Sequence, residues 1–132
     1  MKVNILLGLL TGLVCSCSTS KVVNSNDLIG GFHAKTGDMY AKGGGLIKGT
    51  STTYYLELST DNIFYFEMRG SGYSPQCTGK WEQKGNILYL KCDEEKDFLV
   101  LLSTAYMNQR EHTIKIQSKD KLKYGKIVLR RK

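Results

Sequence analysis

Proline and tryptophan each occur once in the 132 residues, and histidine only twice. So little proline excludes collagen-like and polyproline chains. The two histidines, His33 and His112, have no cysteine, aspartate or glutamate at a spacing that marks a triad or a metal site. The chain is therefore read as non-enzymatic, without catalytic residues, metal or cofactor. No Cys-x-x-Cys motif is present, which removes the usual redox-active pair. Gly43-Gly44-Gly45 lacks the Gly-Lys-Ser/Thr ending of a phosphate loop and reads as a flexible hinge. The acidic run Asp93, Glu94, Glu95 and Asp97 lacks the alternating ligands and central glycine of a calcium loop, so a solvated loop is expected there. No long amphipathic helical pattern is found, and no fixed-period repeat.

What is abundant points the other way. Fourteen glycines and eight tyrosines favour strands and turns. With 41% hydrophobic and 23% charged residues, the composition is that of one folded domain. The formal net charge is +7, and positives crowd the C-terminal end at Lys115, Lys119, Lys121, Lys123, Lys126, Arg130, Arg131 and Lys132. Such a surface suits anionic lipid headgroups, acidic glycans or an acidic protein, and equally serves as a solvated charge that keeps the chain soluble.

The N-terminus carries a separate signal. Lys2 is followed by a mostly apolar run from Val3 to Val14 that meets Cys15-Ser16-Cys17-Ser18 too early for the about 20 residues a membrane-crossing helix needs. This is signal-peptide anatomy. Val14-Cys15-Ser16-Cys17 resembles a bacterial lipobox, in which an aliphatic residue stands three before the acceptor cysteine and a small residue directly before it. Cys17 fits that pattern and Cys15 does not, since Gly12 and Val14 would occupy those places in reverse. The resemblance implies cleavage after residue 16 and acylation of Cys17 with several chains. One chain anchors only marginally, at about 0.8 kcal/mol per buried CH₂, whereas several hold a protein stably. No aspartate follows Cys17 directly, which favours an outer-membrane lipoprotein facing the periplasm. An exported protein of this kind is not expected to bind nucleic acid. Residues 18–27 are polar and without periodicity, so 17–27 read as a lipidated tether and 28–132 as the domain.

Two cysteines then remain in the body, Cys77 and Cys92, and an even pair in an oxidising compartment suggests a disulfide. They flank an expected hairpin around Gln83-Lys84-Gly85-Asn86, and a loop of two or four residues is taken to set them directly opposite one another. Alternation puts Cys77, Gly79 and Trp81 on one face, and Leu88, Leu90 and Cys92 on one face of the return strand. Two free buried thiols and a metal site stay open as other readings.

Alternation elsewhere predicts strands at Leu28 to Lys35, Thr53 to Ser59 and Asn62 to Arg69, the latter two joined by a tight turn at Thr60-Asp61. Further strands are expected at His112 to Gln117 and Lys121 to Arg130, and residues 36–45 read as a loop rich in breakers. The apolar run Phe98 to Leu102 is short enough to be strand or helix, and strand is favoured. About seven or eight short strands with hairpin connections argue an all-β antiparallel barrel or sandwich. The Thr-Asp-Asn turn, the aromatic strand after it, Gly79-Lys80-Trp81, Lys84-Gly85-Asn86 and Leu88-Tyr89-Leu90 resemble small bacterial lipoproteins with a lipocalin-like barrel. Gly31-Phe32 stands where true lipocalins carry a Gly-x-Trp signature.

Candidate ligand-binding residues are Tyr55, Tyr65 and Tyr89, each on the outward face of its strand, where aromatic rings suit flat or sugar-like ligands. A barrel interior lined by Leu56, Phe64, Phe66 and Trp81 would instead suit a small hydrophobic ligand. The function expected is a membrane-anchored, non-enzymatic envelope module that binds an unknown protein, hydrophobic or glycan ligand. The alternatives are a structural envelope protein and an inhibitor of an envelope-attacking hydrolase.

Overall fold

A computed structural model describes residues 22–36, 39–40, 46–47, 51–70 and 72–132. The expected signal peptide, the expected acylation site Cys17, the first part of the expected tether and Gly43-Gly44-Gly45 lie outside the described residues.

Eight strands close into one antiparallel barrel. They are β1 (Gly30–Lys35), β4 (Thr53–Leu58), β5 (Ile63–Arg69), β6 (Gln76–Lys84), β7 (Ile87–Cys92), β8 (Glu111–Ser118), β9 (Lys121–Tyr124) and β10 (Ile127–Arg131). Each pairs with its neighbour in sequence, and β1 closes the ring against both β4 and β10. An even number of strands lets every pairing be antiparallel, so no edge is left open. β2 (Met39–Tyr40) and β3 (Leu46–Ile47) pair only with one another, between β1 and β4. Of the barrel and sandwich foreseen, the barrel is the one formed, a fold consistent with a lipocalin-like architecture.

The period-two pattern decides which side chains go in. On β6 the buried positions are Cys77, Gly79 and Trp81, and on β7 they are Leu88, Leu90 and Cys92, with polar residues between them. Phe32, Leu56, Phe64, Phe66, Leu88, Ile114, Leu122 and Leu129 meet on the axis and are essentially out of contact with solvent. At about 25 cal/mol per Å², packing of this kind is the main force that holds the barrel.

Strand directions give the barrel two unlike ends. At one, here the turn end, the connections are short. Asp61 and Asn62 take left-handed backbone (φ 51° and 58°) to turn β4 into β5, as asparagine and aspartate do more readily than other side chains. Gly85 at φ 61° opens the two-residue turn that sets Lys84 against Ile87. The segment before β1 packs here as well. Residues Ser25–Leu28 form a single 3-10 turn capped by the Asn24 side chain, and Leu28 is buried. Gln83 donates to the Val23 carbonyl at 2.7 Å, so residues 22–27, the last part of the expected tether, lie against the barrel.

Arg131 fastens this end. Its guanidinium lies 4.5 Å from the centre of the Phe32 ring, donates to the Ile29 carbonyl at 2.8 Å and pairs with Asp120 at 3.0 Å. It also donates to the carbonyls of Asp27 and Lys119, so one planar fork ties the N-terminal turn, β10 and the β8–β9 hairpin together. Read from sequence as one of a run of solvated charges, this arginine is instead a half-buried clasp.

At the other end, here the loop end, three of the four connections are long, residues 36–52, 70–75 and 93–110. The fourth is a two-residue turn at Gly125-Lys126 (Gly125 φ 58°) that divides the expected strand Lys121 to Arg130 into β9 and β10. The expected strand at Phe98 to Leu102 is corrected to one helical turn, α1 (Phe98–Leu101). The Asp97 carboxylate caps it by accepting from the Leu99 amide at 3.0 Å. A strand has no place here, because β7 pairs directly with β8 and the ladder is complete without it.

Candidate functional site

Inward positions at the loop end carry chemistry that the axis lacks. The alternation of β8 puts His112, Ile114 and Ile116 inside, so a histidine occupies the core position nearest the long loops. His112 is 2% exposed. One ring nitrogen, Nδ1, is 2.8 Å from the Tyr124 hydroxyl on β9, and the other, Nε2, is 3.1 Å from the thioether sulfur of Met107. Phe66 stands edge-on to both rings, 5.1 Å from His112 and 5.3 Å from Tyr124. Burial holds the imidazole below its ordinary pKa, the nearby Arg110 charge adds to that, and a backbone hydrogen bond with Gln109 opposes it. Burial likewise raises the Tyr124 phenol, helped by Tyr54.

The disulfide joins the same cluster. Cys77 and Cys92 are bonded, as the even pair implied. Their geometry differs from the directly opposed pairing expected. The two-residue turn at Gly85-Asn86 sets Gly79 across from Cys92, which leaves Cys77 two residues further along and the bridge running diagonally with the Cα atoms 5.7 Å apart. Gly79 is required at the crossing, because a Cβ there would lie 1.9 Å from the Lys91 carbonyl oxygen. Both cysteine sulfurs and a nitrogen of His112 fall within 4.8 Å of one another. Spacing along the chain had shown no such group, because the histidine comes from a third strand and only the barrel register brings it there.

The 93–110 connection covers this cluster and is itself tied down. The Gln76 amide donates to the Ala105 carbonyl at 2.9 Å, and the Cys92 amide to the Arg110 carbonyl at 2.8 Å. Arg110 donates to the Met107 carbonyl at 3.1 Å and to the Asp93 carbonyl, and lies over the Tyr106 ring. Met107 is thereby inserted into the barrel mouth, 3% exposed. The other half of the connection faces solvent. Phe98, Leu99 and Leu102 are 68%, 76% and 72% exposed, with Leu101 at 40%, beside the acidic residues Asp93, Glu94, Glu95 and Asp97.

The four ligand-binding candidates are not brought together. Tyr55 and Tyr65 are neighbours outside β4 and β5, with ring centres 6.2 Å apart. The Tyr65 hydroxyl sits 2.8 Å from the Glu67 carboxylate, and burial followed by that carboxylate pushes its pKa to about 12. Tyr55 is raised by burial and then by Glu57. Tyr89 lies two strands away on the outside of β7, under the Lys84 ammonium at 5.4 Å. Trp81 points into the barrel, 4% exposed, and donates to the Ser59 carbonyl at 3.2 Å. Leu56, Phe64 and Phe66 are buried beside it and occupy the space a hydrophobic ligand would need. A shallow groove of about 670 Å³ runs over the outside of β6, β7 and β8, where Lys80, Lys91 and Tyr89 line it with Glu82 and Glu111.

Compared with family models, with curated proteins and with solved structures, this chain matches none of them.

Proposed function

We propose that this protein is a lipid-anchored, non-enzymatic interaction module of a bacterial envelope, held by acylated Cys17 at its turn end and docking a partner protein through its loop end. The observation that carries the reading is the exposed turn Phe98, Leu99, Leu101 and Leu102. Four large apolar side chains clustered on one turn are a contact surface awaiting a partner, whereas singly scattered ones need no explanation.

Orientation supports a protein partner over the anchoring membrane. Val22 and Val23 lie at the turn end, beside Asn86, Lys115 and Lys121. Cys17 precedes Val22 by five residues, a reach of at most about 18 Å. The lipid thus tethers the end with the tight turns, and the apolar turn projects from the opposite one. Its acidic neighbours would also repel anionic headgroups while suiting a basic rim around an apolar pocket. The location that goes with this reading is the outer membrane, facing the periplasm, and it rests on the absence of an aspartate directly after Cys17. A small hydrophobic ligand is not part of the proposal, because the barrel axis is occupied by its own side chains. An inhibitor of an envelope-attacking hydrolase is a narrower form of the same module, favoured by a protruding turn on a disulfide-braced base.

The test is crosslinking and pull-down from intact envelopes with the wild type and the Phe98→Ser/Leu99→Ser double variant. One protein recovered repeatedly with the wild type and lost with the variant supports the reading. Equal recovery with both removes the apolar turn from it.

A further inference from the structure

We propose that the dithiol form of this protein holds one Cu(I) ion at the loop end of the barrel, on Cys77, Cys92, His112 and Met107. Three of these donors already lie within 4.8 Å of one another, the two cysteine sulfurs and a nitrogen of His112. The fourth, the Met107 thioether, is 3.1 Å from His112 Nε2. Two donors bound to one ion at tetrahedral angles are separated by about 3.5 Å for bonds of about 2.0–2.3 Å, so this pair needs only a small adjustment.

The donor set selects the metal. Two thiolates and a thioether are soft ligands, and imidazole joins them readily, a combination that suits Cu(I) better than magnesium, calcium or manganese. Zinc accepts thiolate and imidazole but gains little from a thioether. The surroundings are those of a built site. The Tyr124 hydroxyl at 2.8 Å fixes the imidazole from behind, as outer partners of metal-bound histidines do. Met107 is positioned by the Arg110 clamp, and a pocket of about 370 Å³ at the barrel mouth, lined by both Met68 and Met107, gives a soft cation a route inward.

The disulfide gates the site. In the bonded form each sulfur is occupied by the other and no thiolate exists. A dithiol reductant transfers two electrons and two protons by thiol–disulfide exchange, yielding two cysteine thiols and its own disulfide. Cu(I) then displaces both thiol protons to solvent and the site closes around it.

The full chain carrying Cys15→Ser and Cys17→Ser, so that Cys77 and Cys92 are its only cysteines, is purified anaerobically as the dithiol and titrated with Cu(I) in competition with bicinchoninate, and its circular dichroism is followed. The expected result is one equivalent taken from the competitor by the dithiol chain and none by the disulfide chain. Met107→Leu, a swap of similar volume, should keep the barrel's circular dichroism and weaken binding at least tenfold. X-ray absorption at the copper edge should show sulfur-dominated coordination with one nitrogen. The proposal is overturned by a dithiol chain that takes no Cu(I), by one that is unfolded and stays so when Cu(I) is added, or by equal uptake in the disulfide form. Undiminished affinity in Met107→Leu, or Zn(II) held as tightly as Cu(I), overturns it as well.

Discussion

The two ends of this barrel are made of the same strands and solve opposite problems. At the turn end every device restricts motion: left-handed Asp61 and Asn62, Gly85 in a two-residue turn, and Arg131 spanning Phe32, Ile29 and Asp120. At the loop end a disulfide and a buried histidine lie under an eighteen-residue connection that shows its apolar turn to solvent. The turn end is thus held by its turns and one arginine, whereas the loop end is held by a covalent bridge beneath a connection whose apolar turn is left in water. That division is common in β-barrels, where a rigid scaffold presents loops at one rim.

The contrast breaks first if the turn end proves dispensable. Phe32→Ala removes a fully buried ring and the surface beneath Arg131, and should cost about 3–5 kcal/mol in urea unfolding. A loss under about 1 kcal/mol would mean that the clasp is ornamental. Replacing both cysteines by alanine opens a loop closed over 15 residues and should cost about 3 kcal/mol, seen as a lower unfolding midpoint.

Acid sharpens the comparison, because the buried imidazole belongs to the loop end alone. His112 is held below its ordinary value of 6.5, so the unfolded chain takes up a proton that the folded one refuses. Stability should therefore be full above about pH 6.5 and fall as pH drops below it. Tyr124 faces the ring, Arg110 lies near it and Tyr54 packs against Tyr124, and none of them supplies a carboxylate to reverse that sign. His112→Asn should flatten this part of the profile, measured as the urea midpoint between pH 7 and pH 5, whereas an unchanged slope would place the titration elsewhere.

The smallest effect is expected at the exposed turn. Leu99→Ser and Leu102→Ser should each change stability by no more than about 0.5 kcal/mol, because both side chains already stand in water. A larger loss would show that the turn packs on the barrel.

What could be read without coordinates follows from range of interaction. The hairpins Thr53 to Arg69 and Cys77 to Cys92 were legible because alternation and turn residues are local, and they implied an antiparallel barrel or sandwich, whereas the long-range pairing of β1 with β10 that closes the barrel has no local signal. The diagonal offset of the disulfide was not, since the two-residue turn falls at Gly85-Asn86, one position later than opposed cysteines require, and this sets Gly79 rather than Cys77 across from Cys92. Phe98 to Leu102 misleads because an apolar run looks like a core strand, and only the completed β7–β8 ladder denies it a place. The His112 cluster and the Arg131 clasp were invisible for one reason. Their partners come from other strands and from residues up to 104 positions away, and no local spacing encodes that. Tyr55, Tyr65, Tyr89 and Trp81 were sorted to inside and outside correctly by alternation, yet alternation says nothing about whether they meet.

The division between the ends is tested most directly by site-specific photocrosslinking in intact envelopes, with a photoreactive residue at Leu99 in one strain and at Asn86 in another. A discrete protein adduct is expected from position 99 and none from position 86. Adducts from position 86 alone, or none from position 99, would contradict that division.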